Sequence, residues 1–371
     1  MSAPRRPRPT EVDDLHELSR ACFGFGGRDH GTERPPGRRA RPVPRNARVI
    51  VLDGKPVSHI AVVYNHLWIE GARVKVASFG GVCTHPDYRG RGLATELMNY
   101  CLHGIDARGA ALLIISGERG LYRRAHAVPA GPCWEVHLRP SELPASPDDI
   151  TARRAGPEDW PAFARFYEAE PVRFARAARM YAHAVASESH RAVWLLEQAG
   201  RPVAYACLSH VWGLGPREPV RALSEYGGSR AALVDGLVAL AAAAGLDEIR
   251  TAFPTFDTDL TYLLRRRGVE LKQGTIPSHT FRIVNLPRLM RLLKAYLEAR
   301  LTQGEARGLR AEQEGERCRL QLGEEEAELD LSRAGKLLLG GPGAPRVGGA
   351  LGNALARIAP IPLPLPGLNY A

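Results

Sequence analysis

The residues best suited to chemistry are Arg89, Gly90, Arg91 and Gly92, set between an extended apolar segment and an amphipathic one. The first amides of a helix are unpaired and carry partial positive charge, so a pyrophosphate can bind them without a dedicated cage of side chains. Val74, Val76 and Phe79 lead in as a strand that Val82, Cys83 and Thr84 continue. From Leu93 the apolar residues Leu93, Leu97, Tyr100 and Cys101 recur at helical spacing, so the helix is expected to begin between Arg89 and Gly92. Gly90 and Gly92 lack a Cβ, which permits positive φ and close approach of phosphate oxygens to the amides. Arg89 and Arg91 add fixed charge and forked donors.

The elements that position this turn follow from the flanking pattern. Glu11 to Ala21 reads as a helix, Arg48 to Leu52 and Val57 to Tyr64 as strands around an Asp53-Gly54 hairpin turn, and His66 to Ile69 as a third strand turning at Glu70-Gly71. Arg108-Gly109 ends the helix, and the continuous apolar run Ala111 to Ile115 is the mark of a strand covered on both faces. Pro140 to Asp149 reads as a linker. The plan then repeats: Trp160 to Glu168 helical, Val193 to Leu196 and Val203 to Ser209 extended, Ala231 to Ala244 helical, and Glu248 to Phe253 extended. At the position of the turn this second copy has Glu225-Tyr226-Gly227-Gly228-Ser229-Arg230, which puts a carboxylate where phosphate would lie. A last unit begins near Asn285, a candidate cap for a helix with Leu286, Leu289, Leu293, Leu297 and Leu301 on one face. Arg317 to Leu322 and Ala327 to Leu331 alternate as strands, with Ser332 as a candidate cap for a short helix.

Arg89, Gly92 and Ala94 fill the Arg/Gln-x-x-Gly-x-Gly/Ala signature, and the turn resembles the acetyl-CoA site of the GNAT acetyltransferase superfamily. The implied fold class is α/β (α+β): two GNAT-type mixed-sheet domains in tandem, at 1–145 and 146–284, followed by a small sterol-carrier-like α+β domain at 285–371. That architecture, with the cradle in the first copy only, resembles the enhanced-intracellular-survival (Eis) family. The resemblance implies acetyl-CoA as cofactor, held by Val82, Cys83, Thr84, Arg89, Gly90, Arg91, Gly92, Leu93, Ala94 and Ser116. Gly120-Leu121-Tyr122-Arg123-Arg124 is similar to a family segment whose tyrosine is the general acid, so Tyr122 takes that role. The general base is implied to be the α-carboxylate of Ala371. Here Ala125-His126-Ala127-Val128 replaces the family's next element, so the acceptor does not carry over. The tail itself, with Pro360, Pro362, Pro364 and Pro366 alternating with Ile361, Leu363 and Leu365, is stiff and apolar enough to adhere to a groove.

The chemistry is self-consistent. An amine must lose a proton before attacking a thioester, a phenol near the departing sulfur can supply one, and strand amides around Val82 to Thr84 can meet the charge that builds on the carbonyl oxygen. The expected function is an N-acetyltransferase acting on a small-molecule primary amine through a direct ternary complex. The competing readings are a non-catalytic acyl-CoA-binding or sensing protein and a transferase that moves an amino acid from tRNA, the latter disfavoured by the intact cradle. His85 belongs to the lead-in turn and His126 has no partner evident in the sequence, so neither is the expected base.

Composition narrows the rest. At 371 residues, and about 150 residues per domain, two or three domains are expected. Net charge is +10, but 45 of the 50 basic residues are Arg in a chain rich in Ala, Gly and Pro, a coding bias rather than a nucleic-acid surface. Arg is densest from Arg28 to Arg48, read as a mobile loop. Six scattered Cys without ligand spacing predict reduced thiols, no metal site and a cytoplasmic protein. No apolar run reaches the roughly 18 residues of a membrane helix. Symmetric assembly of several chains is a further implication of the resemblance.

Overall fold

The computed structural model describes residues 3–23, 46–186, 192–211, 214 and 220–369. Most of the Arg-rich stretch from Arg28 to Arg48, and Ala371, lie outside the described residues. The described residues build a mixed α/β structure with three sheets.

In the first sheet Arg48–Leu52 and Lys55–Ile69 form the expected hairpin, turned at Asp53 and Gly54 with φ of 52° and 76°. The sequence pattern predicts two strands over 57–64 and 66–69, but Lys55–Ile69 is one 15-residue strand. Asn65 and His66 interrupt the apolar pattern, not the backbone ladder, in which they face Val76 and Lys75 of Ala72–Thr84. The helix Leu93–Ala107 then crosses over and buries Leu93, Leu97, Met98, Cys101 and Ile105 against one face of the sheet. It returns the chain to Leu112–Ser116, parallel to Ala72–Thr84.

The next strand leaves. Pro132–Leu138 sits in the second sheet between Ile249–Pro254 and Lys272–Thr275, while His279–Ile283, far along the chain, pairs with Leu112–Ser116 and extends the first sheet. The two sheets thus trade a strand across the expected boundary at 145. Pro140 to Asp149, expected as a linker between domains, joins Pro132–Leu138 to Ile150–Arg154 of the same sheet. Val172–Phe174 also crosses, pairing with Leu67 to Ile69.

The Ala/Leu segment expected as one helix is two, Arg230–Asp235 and Leu237–Ala244. They part at Gly236, where a Cβ would press on Leu196 and on the Ala232 carbonyl. In the last unit Asn285 caps its helix as expected, Oδ1 accepting from the Arg288 amide at 2.9 Å. The leucine face continues through Leu286–Leu292 and Lys294–Glu298 with a break at Leu293. Asp330, not Ser332, caps Leu331–Leu339, its Oδ1 accepting from the Arg333 amide at 2.8 Å. A strand Arg310–Glu314 and a helix Gly349–Ile358 complete this unit. Leu286, Leu289, Leu331, Leu338 and Ile358 pack in one cluster with Leu67, Val74, Ile114 and Phe281. The last unit therefore covers the face of the first sheet opposite the crossover helix. Among the described residues no helix is long and apolar enough to cross a membrane.

Phe281 is 1 % exposed on the traded strand and sits inside that shared cluster. Phe281→Ala should cost about 3–5 kcal/mol. Urea unfolding will measure the loss, and hydrogen exchange should show it in Leu112–Ser116 and in the last unit together.

Candidate active site

The site begins where two parallel strands part. Pairing between Ala72–Thr84 and Leu112–Ser116 runs from Val76↔Leu112 to Phe79↔Ile115 and stops, although the first strand continues to Thr84. Its register against Lys55–Ile69 slips between Ala61↔Gly80 and His59↔Cys83, so Gly81 and Val82 stand opposite Ile60 alone. Such a bulge bends and twists the strand. Gly81 has φ of 58°, and a Cβ there would meet the His59 ring at 3.2 Å. Adjacent glycines inside a strand pattern, here Gly80-Gly81, are the sequence signal for such a bulge. Beyond Phe79 the strand edge turned away from Lys55–Ile69 has no strand neighbour among the described residues, and Ser116 instead faces His279.

Side chains alternate across this edge. Val82 joins the apolar cluster of the crossover helix, and Cys83 packs with Leu15 and Leu18 of the N-terminal helix Val12–Phe23. Burial pushes the Cys83 thiol well above its ordinary pKa, which removes it as a nucleophile at neutral pH. Cys22 Sγ donates to the Thr84 carbonyl at 3.2 Å.

The turn is rigid and open. Pro86–Tyr88 forms a 3-10 turn, His85 Nδ1 lies 3.4 Å from the Asp87 amide as its acceptor, and Tyr88 donates its hydroxyl to Asp53 at 2.9 Å. Arg89 Nε donates to the Thr84 carbonyl and Arg91 Nη2 to the Asp87 carbonyl, both at 3.3 Å, and the Arg91 guanidinium lies 4.9 Å from the Tyr88 ring centroid. Gly90 and Gly92 both have φ of 78°, and nothing beyond their chain neighbours lies within 4 Å of where a Cβ would stand. Gly92 is the N-cap of the 15-residue helix and its carbonyl accepts from the Thr95 and Glu96 amides at 3.0 Å. Among the described residues the amides of Gly92, Leu93 and Ala94 have no acceptor. An unsatisfied, unobstructed helix start of this kind fits a pyrophosphate.

Tyr122 lies on the short helix Gly120–Arg124, 3 % exposed, in the same cluster as Val82 and Leu93. Strand, cradle helix and tyrosine thus converge. Its hydroxyl has no hydrogen-bond partner among the described residues and is not fully enclosed. Burial raises its pKa, with Arg119 opposing. The segment is pinned from the traded strand: the Gly117 amide donates to the Ser278 carbonyl at 2.6 Å, and Thr280 Oγ1 to the Gly117 carbonyl at 3.1 Å. His126 does have partners, both in the last unit: Nδ1 lies 3.0 Å from Ser332 Oγ and Nε2 2.9 Å from Glu316 Oε2. Both nitrogens are engaged in a clamp between units. The sequence could not show this, because those partners lie about two hundred residues away.

The corresponding turn of the second sheet is closed by its own side chains. Arg230 is held by both oxygens of Glu170, at 2.8 and 2.6 Å, and by Asp257 at 2.8 Å. Glu170 also accepts from the Gly228 amide at 3.4 Å, and a Cβ on Gly227 would stand 2.6 Å from the Tyr205 ring. A carboxylate occupies the place of the anion. Among the described residues no group of three or more His, Cys, Asp or Glu is arranged to hold a metal.

With this geometry in hand, residues 3–126 match the family model of the acetyltransferase (GNAT) domain. No curated protein matches the sequence. Among solved structures, a GCN5-related N-acetyltransferase from Anabaena variabilis is 15% identical with a TM-score of 0.66, over 97% of this chain and 98% of that one. A probable N-acyltransferase from Enterococcus faecalis is 13% identical with a TM-score of 0.65, over 98% and 97% of the two chains. Eis1 from Mycobacterium abscessus is 15% identical with a TM-score of 0.61, over 96% of each. These likenesses extend the fold over nearly the whole chain. The chain is an acyltransferase, with a GNAT acetyltransferase domain in its first third.

Gly92→Val puts a branched side chain into open space at a left-handed position. It should abolish acetyl-CoA binding in calorimetric titration while circular dichroism stays native. Retained affinity would place the cradle elsewhere.

Proposed function

We propose that the chain transfers acetyl from acetyl-CoA to a small-molecule primary amine in a direct ternary complex, with one live site per chain. The observation that carries this reading is the open Gly90 and Gly92 cradle beside a strand edge that has no strand partner among the described residues, with the Tyr122 hydroxyl, likewise unengaged among them, in the same cluster. Acetyl-CoA supplies an activated thioester when bound. The amides from Gly92 to Ala94, with Arg89 and Arg91, would hold its pyrophosphate, and the edge from Val82 to Thr84, with Ser116 on the parted strand, would hold its extended arm.

The amine attacks as the neutral base, its proton passing to solvent water, and two further steps fall to residues of this chain. Backbone amides on the free edge near Val82 to Thr84 donate toward the carbonyl oxygen as charge builds there. Tyr122 gives its phenolic proton to the leaving sulfur, and its burial keeps that proton in place at neutral pH. The buried, protonated Cys83 supports direct attack by the amine rather than an acyl-enzyme. The carboxylates that fill the second turn support a single donor site.

Calorimetric titration with acetyl-CoA, followed by thiol release against a panel of amines, tests the whole reading: one-site binding with release supports it, and absence of binding removes it. Tyr122→Phe should lower kcat by about a hundredfold, within the usual range for a general acid, while acetyl-CoA affinity stays unchanged. Unchanged turnover would remove the acid role, and binding without any turnover would favour an acyl-CoA sensor. Because the folded pKa of Tyr122 is raised, its acid form persists through neutral pH and is lost only above about pH 10, the ordinary range of tyrosine. An alkaline fall in kcat at lower pH, unchanged in Tyr122→Phe, must come from another group.

A further inference from the structure

The second sheet parts its strands as the first does, and the chain's own tail ends against Glu225 on one of the parted strands. Among the described residues its one parallel pair is Leu223↔Thr251, and its register against Arg201–Val211 slips immediately afterwards, between Leu223 and Glu225. This is the counterpart of the slip at Gly81. From the last unit the tail runs in with Ile361 and Leu363 buried, the Ile361 amide donating to the Leu338 carbonyl at 2.7 Å. It passes Gly131, whose Cβ would stand 3.5 Å from Leu363 and closer still to Ile276. It ends its described course in the turn Gly367–Asn369.

That turn is read by a buried ion pair. Arg176 Nη1 and Nη2 hold Glu225 Oε1 and Oε2 at 2.7 and 2.5 Å, with the two side chains 2% and 7% exposed. The same guanidinium donates through Nε to Asn369 Oδ1 at 2.9 Å, while Glu225 Oε2 accepts from the Leu368 amide at 3.0 Å. Tyr205 donates to Glu225 Oε1 at 3.2 Å, and Arg176 lies over Tyr167 with 3.7 Å to the ring centroid. Gly367 has φ of 50°, and a Cβ there would collide with Glu225. Leu368 packs against the cluster of Phe163, Tyr167 and Tyr181. A buried ion pair is a poor source of stability, since desolvation offsets attraction, and its distinctive property is fixed geometry. Here that geometry is spent on the tail.

We propose that Arg176, Glu225 and Asn369 form a clasp that turns the parted strands of the second sheet into a socket for the tail. The clasp thereby fixes the wall beside the acyl site of the first sheet. Arg176 and Glu225 are positioning residues: the held tail packs on Gly131 and Ile276, and Ser278, two residues on, pins Gly117 beside Tyr122. The catalytic half of the inference rests on the acetyl-transfer reading. The structural half does not.

The test compares the full chain with Arg176→Met/Glu225→Leu, which replaces the pair by apolar groups, and with Asn369→Ala, which leaves the pair intact. Hydrogen exchange over 361–369 reads the clasp without reference to activity. Thermal melting, acetyl-CoA titration and steady-state kinetics read the rest. Expected are at least tenfold faster exchange of the tail in both variants, little change in melting temperature, unchanged acetyl-CoA affinity, and at least a tenfold fall in kcat/KM for the amine. Unchanged tail protection in both variants overturns the clasp. Tail release with unaltered kcat and KM, or activity lost only in step with melting temperature, overturns the positioning role. A wild type that shows tail protection but no acetyl transfer sinks the acetyl-transfer reading, and the exchange result then decides the clasp alone.

Discussion

A parallel strand pair that ends early leaves backbone donors and acceptors on an edge, and such groups must find a partner or stay in water. In the first sheet the pair ends at Phe79↔Ile115, and the bulge at Gly81 swings the rest of the strand away. The crossover helix then starts at the end of that strand, with Gly90 and Gly92 at positive φ and their surroundings empty. The unpaired edge and the open helix start thus lie next to each other in the chain. Remove the bulge and both lose their relation to Tyr122.

The second sheet meets the same constraint in the opposite way. Its edge is sealed by Glu225, Arg176 and the tail, and its helix start by Glu170, Arg230 and Asp257. Arginine works differently at the two places. In the first turn Arg89 and Arg91 donate to backbone carbonyls, Arg91 also lies over the Tyr88 ring, and both remain exposed, so their charge is available to a ligand. In the second sheet Arg230 is held by Glu170 and Asp257, and Arg176 by Glu225 and Asn369. The contrast accounts physically for one open cradle beside one closed one.

The trade of strands ties the units together at the site. His279–Ile283 brings Ser278 and Thr280 to Gly117, so the segment holding Tyr122 is braced by residues more than 150 positions away. His126 and the cluster around Phe281 fasten the last unit to the same segment. The segment that carries Tyr122 is thus joined to the traded strand and to the last unit by hydrogen bonds and packed side chains.

The sequence determined what local chemistry can determine. Gly90 and Gly92 marked the positions free to take positive φ, the spacing of Leu93, Leu97 and Cys101 declared the helix, Asn285 declared a cap, and the Ala111 to Ile115 run declared a covered strand. These signals sit within a few residues of their effects. Tertiary structure decided which strands pair. Pro132–Leu138 and His279–Ile283 are short and similar in pattern, and nothing local says that each joins the other's sheet. It also decided the partners of His126, the clasp on the tail, and whether the Tyr122 hydroxyl was engaged. Each of these depends on groups brought together from distant positions, where the free energy of pairing belongs to the assembled fold and leaves no periodicity in the chain.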